Sequence, residues 1–308
     1  MSAPRQIVTA PAFTPLPYGL LSVVDNPAPG DVHWQNGIMF QAACPITLGN
    51  TTYDECVTVT GTGNVPVPPA GPAGGGLVAP TVAYQLRGAT PFTAVVEFDC
   101  STVGNTEAAR IAENAMAQAG SWQLERAFWT GTAGGQPVVY PHLAATVGVT
   151  GVSNEILQSP VVTGGAADMD IAEALGILEK RMADCFNGAG VIHVPLTALP
   201  TLDAWGLVKV NGGVLRTLGG NKVAAGSGYP GTSPTGAAPA AGTTWIYGTG
   251  PVLAYQSATR IGDMPASLNR AENTILMTGQ KTFVLAWDCC HFGMLVKLGV
   301  PFNGAEAT

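Results

Sequence analysis

Cys289, Cys290 and His291 stand in a row, the densest set of metal-ligating and nucleophilic side chains in the sequence. Thiolates beside an imidazole could bind a soft divalent metal, or pair a nucleophile with its base. Neighbouring side chains of a strand point to opposite faces, so the two thiols cannot easily share one metal. No second Cys/His cluster supplies the missing ligands of a tetrahedral site. Buried packing thiols are the favoured reading. His33, His142 and His193 are isolated in sequence, and His193 lies in the apolar run VIHV, where a hydrogen-bonded structural imidazole is expected. Glu97 and Asp99 are spaced to share one strand face. They could hold a cation or act as paired acids, but a solvated face is the simpler reading. Gly226, Gly228 and Gly231 make a G-x-G-x-x-G match. That motif must open a helix to offer N–H groups to a pyrophosphate. Here TSPTGAAPAAG follows, which cannot start a helix, so a Gly/Pro loop is expected. G-x-S-x-G, H-E-x-x-H and Walker motifs are all missing from the sequence. The residues therefore predict no catalytic, cofactor-binding or metal residues, no cofactor, and no enzyme.

Composition narrows the classes further. Only 11% of the 308 residues are charged, less than half the roughly one quarter usual in soluble domains. Thirteen Lys+Arg against 20 Asp+Glu give a net charge of −7, which excludes a nucleic-acid reader that relies on phosphate contacts. A hydrophobic content of 46% excludes wholesale disorder. Long uncharged runs such as 57–86, 127–154 and 223–259 are broken by Gly, Pro, Thr and Ser, so none reads as a spanning helix. MSAPRQIVTAPAF carries no apolar signal core, and a cytoplasmic origin with reduced thiols is expected. Cys44, Cys56 and Cys100 flank one segment and could be tied by disulfides only in an oxidising compartment.

The elements that must position these residues alternate in period. Tyr18–Val24 and His33–Ala43 read as short β segments, after a possible strand at Arg5–Thr9. Cys56–Thr60 and Thr93–Phe98 read as strands around NVPVPPAGPAGGG, a Pro/Gly tip that suggests a long two-stranded excursion. Asn105–Trp129 is a helix by its spacing, with Asn105 as N-cap, Gly131 as stop and an interruption at Gly120-Ser121. A second helix opens at Asp168 or Asp170, buries Ile171, Leu175, Leu178 and Met182, and ends by Gly188. VIHV is a buried strand, and Pro200–Trp205 a short helix. Strands follow at 207–210, 222–225, 243–247, 251–256, 274–278, 281–287 and 292–298. The expected fold class is α+β.

Several segments carry a family resemblance. YGLLSVV (Tyr18–Val24) precedes HWQNGIMFQAAC (His33–Cys44), and the first helix ends in ERAFWTG (Glu125–Gly131). GVIHVP (Gly190–Pro195) and LGGNKVAAGSGYPGT (Leu218–Thr232) follow in order. In these and in its order of elements, the chain resembles the Hong Kong 97-type major capsid proteins of tailed bacteriophages, nearest those of phages infecting actinobacteria. Encapsulins are relatives. The resemblance implies an N-terminal arm (1–50), an E-loop (51–92), a spine helix with peripheral domain (93–165), an axial domain (166–275) and C-terminal peripheral strands (276–308). It implies hexamers and pentamers forming an icosahedral shell around double-stranded DNA, in a virion assembled in the bacterial cytoplasm. The partners implied are many copies of the chain, a separate scaffold, a portal and decoration proteins, with only non-specific proximity to DNA and no membrane. An isopeptide weld from an E-loop lysine is excluded by residue type, because 51–92 holds Arg87 and no Lys. An encapsulin-type compartment is the alternative; a β-rich binding protein or an unrecognised enzyme is a second.

Overall fold

A proline-free run becomes the longest helix among the described residues, α1 (Ala108–Thr130). The fold is taken from a computed structural model, which describes residues 16–27, 32–46, 82–101, 108–132, 141–145, 154–156, 169–186, 188–269, 271–287 and 291–299. The expected N-cap Asn105, Asp168, Cys56–Thr60, the Pro/Gly tip, Cys289 and Cys290 lie outside these residues. Helix α1 buries Ala112, Met116, Leu124, Ala127, Phe128 and Trp129. It stops where expected: Gly131 adopts φ +72°, and its N–H closes on Ala127 O at 2.8 Å. The interruption expected at Gly120-Ser121 does not occur. One glycine weakens a helix by only about 1 kcal/mol. Here its bare Cα makes room for Met116, whose sulfur would sit 2.8 Å from an added Cβ. Helix α2 (Ile171–Phe186) buries the predicted stripe, with Ile171, Leu178 and Met182 at 0% exposure. A short α3 spans Leu199–Ala204. Among the described residues, no helix is long and apolar enough to cross a membrane.

Strands β1 (Ile38–Ile46) and β2 (Val82–Ala89) form an antiparallel pair on either side of the excursion. Strand β3 (Pro91–Ser101) pairs along β12 (Thr274–Trp287), whose other edge takes β10 (Val252–Gln256) and β11 (Arg260–Asn269). A larger mixed sheet orders β4 (Asn154–Ile156), β13 (His291–Lys297), β9 (Thr243–Thr249), β5 (Val191–Pro195), β8 (Lys222–Gly226), β7 (Val214–Thr217) and β6 (Val208–Asn211). The α+β class is as read from the sequence. Four local readings need correction. Tyr18–Val24 is not β: Ser22 Oγ bonds back to Gly19 O at 2.7 Å and the chain closes a 3-10 turn at Leu20–Ser22. His33–Asn36 is likewise a 3-10 turn, and β1 starts only after Gly37 at φ +112°. The two expected strands 274–278 and 281–287 are one, because Gly279 passes closely under Val96 and Ala112. Reduced thiols were expected, yet Cys185, in the last turn of α2, is disulfide-bonded. Spacing alone does not encode that connectivity.

The centre of the larger sheet is covered on both faces, which is why β5 reads as a continuous apolar run. On one face Ile192 and Val194 of β5, Val223 and Ala225 of β8 and Ile246 of β9 pack with α2. On the other, Val191, Ala224 and Tyr247 meet Phe128 and Trp129 of α1. Helix α1 also lies on β3 and β12. Gln123 fixes that contact by donating Nε2 to Val95 O (2.9 Å) and accepting from Val95 N–H (3.0 Å).

Candidate functional site

One turn of α1 gathers three distant segments. Glu125 sits three and four residues before Phe128 and Trp129, so it shares their inward face. It is only 3% exposed. A buried carboxylate must have its lone pairs satisfied. Its Oε1 accepts the Leu20 N–H at 3.0 Å, and its Oε2 accepts the Gly228 N–H at 2.9 Å and the Ser227 hydroxyl at 3.4 Å. The carboxylate thus joins the N-terminal segment, the spine of α1 and the loop after β8. Burial pushes its pKa up, and the backbone and Ser227 hydrogen bonds oppose that rise.

The Gly226–Gly231 motif lies here and is not a dinucleotide cradle, since no helix follows it. Its glycines permit contact with α1 and β9. An added Cβ at Gly228 would lie 2.3 Å from Trp122 O, one at Gly226 2.7 Å from the Tyr229 ring, and one at Gly231 2.3 Å from Thr244 Oγ1. The loop is then pinned to both neighbours. Trp129 Nε1 donates to Thr232 Oγ1 (3.1 Å), and the Tyr247 hydroxyl donates to Thr232 O (3.2 Å).

His193 lies at the centre of β5, fully buried, as its apolar flanks predicted. Thr249 Oγ1 donates to Gly250 O at 3.0 Å, so it accepts from His193 Nε2–H at 3.0 Å. Nδ1 is left to accept the Tyr229 hydroxyl at 3.2 Å. Burial, reinforced by the charge on His291, holds the His193 pKa down at about 3. The ring is neutral and both nitrogens are engaged, so it has no free position for acid–base work.

The segment 16–25 is sewn along this junction. Tyr18 O accepts Ala225 N–H (2.7 Å), and Lys222 Nζ reaches Val23 O (2.9 Å) and Asp25 Oδ1 (3.3 Å). Asp25 bridges in parallel to Leu253. Between this segment and α1 runs a groove of about 570 Å³, lined in part by Leu16, Leu21, Trp122, Glu125 and Ser227. Among the described residues, no histidine or cysteine lines it.

The other predicted residues stay apart. Glu97 and Asp99 are exposed on β3. His33 is exposed in its 3-10 turn. His142 packs against Gly131, and His291 begins β13 with its pKa held at about 3 by burial and by His142. Among the described residues, no three His, Cys, Asp or Glu side chains are placed to hold a metal. Glu125 was missed as a site residue, although a carboxylate on the face of Phe128 and Trp129 is the signal that could have found it.

No family model and no curated protein matches the chain. Solved structures do. The chain is similar to the capsid of an empty GTA particle, with a TM-score of 0.55 and 11% identity over 96% of this chain and 95% of that one. The capsid of the native GTA particle gives 0.52 at 11% identity, and a structure from Mycobacterium phage Bobi gives 0.51 at 15%, each over the same shares. At such identities the likeness is one of fold. The chain has a mixed α+β fold resembling that of the GTA capsid structures.

Proposed function

We propose that the chain is a major capsid protein, which self-assembles into the icosahedral head shell of a tailed bacteriophage around double-stranded DNA. The observation that carries this reading is the fold likeness to the GTA capsid, which spans nearly all of both chains. In this reading α1 is the spine helix, β1 and β2 are the roots of the E-loop, 166–275 is the axial domain, and 93–165 with 276–308 makes up the peripheral one. The Glu125 junction serves assembly by fixing the root of the N-terminal arm to that frame. Hexamers and pentamers are the assembly units, with a separate scaffold, a portal and decoration proteins as further partners, and the virion is the place of action.

The low charge supports the same reading, because surface destined for subunit contacts need not be solvated. Electron microscopy of the purified protein tests it. Closed shells are the expected outcome, with double-stranded DNA rather than enzyme cargo in particles taken from the host. A small monodisperse monomer under assembly conditions refutes it.

A further inference from the structure

We propose that Asn211 is a self-modification site, where the main-chain nitrogen of Gly212 displaces the side-chain amide and leaves aspartate and isoaspartate. The setting is a two-residue hairpin turn. Asn211 and Val214 close the β6–β7 ladder, and Gly212 and Gly213, at φ +61° and +79°, form a type I′ turn between them. Strand β6 is an edge of the larger sheet, and residues 209–213 are all exposed. A Cβ built on Gly212 meets nothing within 4 Å. Among the described residues, neither the Asn211 side chain nor the Gly212 N–H is held in a hydrogen bond.

The chemistry consumes only water. The Gly212 nitrogen gives up its proton and bonds to Asn211 Cγ, the Cγ–Nδ2 bond breaks, and the amide leaves with that proton as ammonia. Because glycine has no Cβ, nothing on residue 212 obstructs this approach. Water then opens the five-membered imide. Cleavage at Cγ restores the peptide bond and leaves aspartate. Cleavage at the main-chain carbonyl leaves isoaspartate, whose main chain is one carbon longer and no longer fits a two-residue turn.

The surrounding charge favours both the attack and its product. Lys209 shares the strand face of Asn211 and stands directly opposite Arg216. Like charges placed so weaken a strand pair, which loosens this end of the hairpin. The same two cations favour the anionic nitrogen and oxyanion through which the ring forms. A carboxylate at 211 then lies two residues from Lys209 and diagonal to Arg216, within reach of both long side chains. Asn36-Gly37 is the internal comparison. Asn36 is also exposed, but Gly37 N–H is committed to Trp34 O at 3.0 Å, and a Cβ there would stand 3.0 Å from Ala89 O. That nitrogen is engaged and its backbone confined. The reaction belongs to the hairpin and not to the capsid reading, so either can fail alone.

Timed peptide mapping by mass spectrometry tests the site, on purified protein kept warm at mildly alkaline pH. The same incubation in guanidinium gives the intrinsic rate of each Asn-Gly pair. The folded-to-denatured rate ratio at 211 is expected to exceed that at 36 by about fivefold or more, the factor that one hydrogen bond is worth. The converted peptide is expected to gain one mass unit and to elute as two species, aspartate and isoaspartate. Asn211→Gln, whose longer side chain must close a larger ring, is expected to abolish the conversion at an unchanged circular dichroism spectrum. Two results overturn the proposal: a ratio at 211 no larger than that at 36, or a product that is aspartate alone, which means that water and not Gly212 attacked. Should the variant not fold, the wild-type ratios and products decide alone.

Discussion

A methyl group at position 228 would stand 2.3 Å from Trp122 O, 2.9 Å from Glu125 Cβ and 3.0 Å from Arg126 N. Two of these neighbours are backbone atoms of α1, so relief requires moving the helix or the loop. Gly228→Ala is expected to destabilise the protein by about 2–4 kcal/mol, read as a lowered denaturation midpoint. Gly212→Ala is its control, since φ is +61° there but nothing lies within 4 Å; about 1 kcal/mol is expected. The buried histidines give a second prediction. Their folded pKa values near 3 lie below the unfolded value of 6.5, so the folded state binds fewer protons between those limits. Stability should fall as pH drops from about 6.5 toward about 3, by up to about 1.4 kcal/mol per pH unit for each ring. The raised Glu125 carboxyl opposes this trend, and two rings outweigh one carboxyl. Denaturant titrations at several pH values measure the slope, and a flat profile refutes it. The role of His193 was legible from its apolar flanks. The reason for Gly228 was not, because it depends on a helix more than a hundred residues earlier landing on that loop.

Helix α2 shows what periodicity can deliver. Leu178 is at 0% exposure and packs against Gly248 within β9, where an added Cβ would lie 3.1 Å from it. Leu178→Ala is expected to cost about 3 kcal/mol. Lys180→Ala, which removes an exposed pair with Asp184, should change stability by less than about 0.5 kcal/mol. Thermal or urea unfolding of the two variants separates them. Helix α2, β5, β9 and β10 were readable because their signals are local: a 3.6-residue stripe, a buried VIHV run, and apolar β runs on either side of Gly250-Pro251. Strand β11 was not, since Gly262 and Pro265 interrupt its pattern. Its pairing with β12 survives through a register shift between Asp263 and Leu268. Residues 20–22 were misread because Leu20, Val23 and Val24 are buried by tertiary contact, which apolar content alone renders as β. The Cys185 disulfide is checked at the same scale by peptide mapping without reduction. Cys185 is expected in a linked peptide, and recovery as a free thiol refutes it.

At the scale of the whole molecule, the uneven charge gains a location. Residues 1–104 contain only two basic residues, Arg5 and Arg87. Within that stretch Leu16, Val32 and Met39 are 53%, 69% and 71% exposed. Scattered singly, such residues are ordinary on a monomer; under the proposed capsid reading they are available for subunit contacts. Deleting 65–76, the Pro/Gly tip, is expected to leave the subunit folded by circular dichroism and to lower the heat resistance of assembled shells. Shells of unchanged stability would remove the tip from any lattice role. The general architecture was legible as an order of elements, while the junction that locks it was not, because it is made of contacts between segments far apart in sequence.

That junction also sets a timetable for synthesis. Leu20 waits for Glu125, Lys222 and Leu253 must exist before residues 23–25 have a place, and β3 has no partner until β12 follows. At about 5–20 residues per second, the ribosome needs roughly ten seconds or more between making the first segment and making its last neighbour. A chain released before β12 therefore has every partner of the junction but leaves β3 without the strand it pairs along.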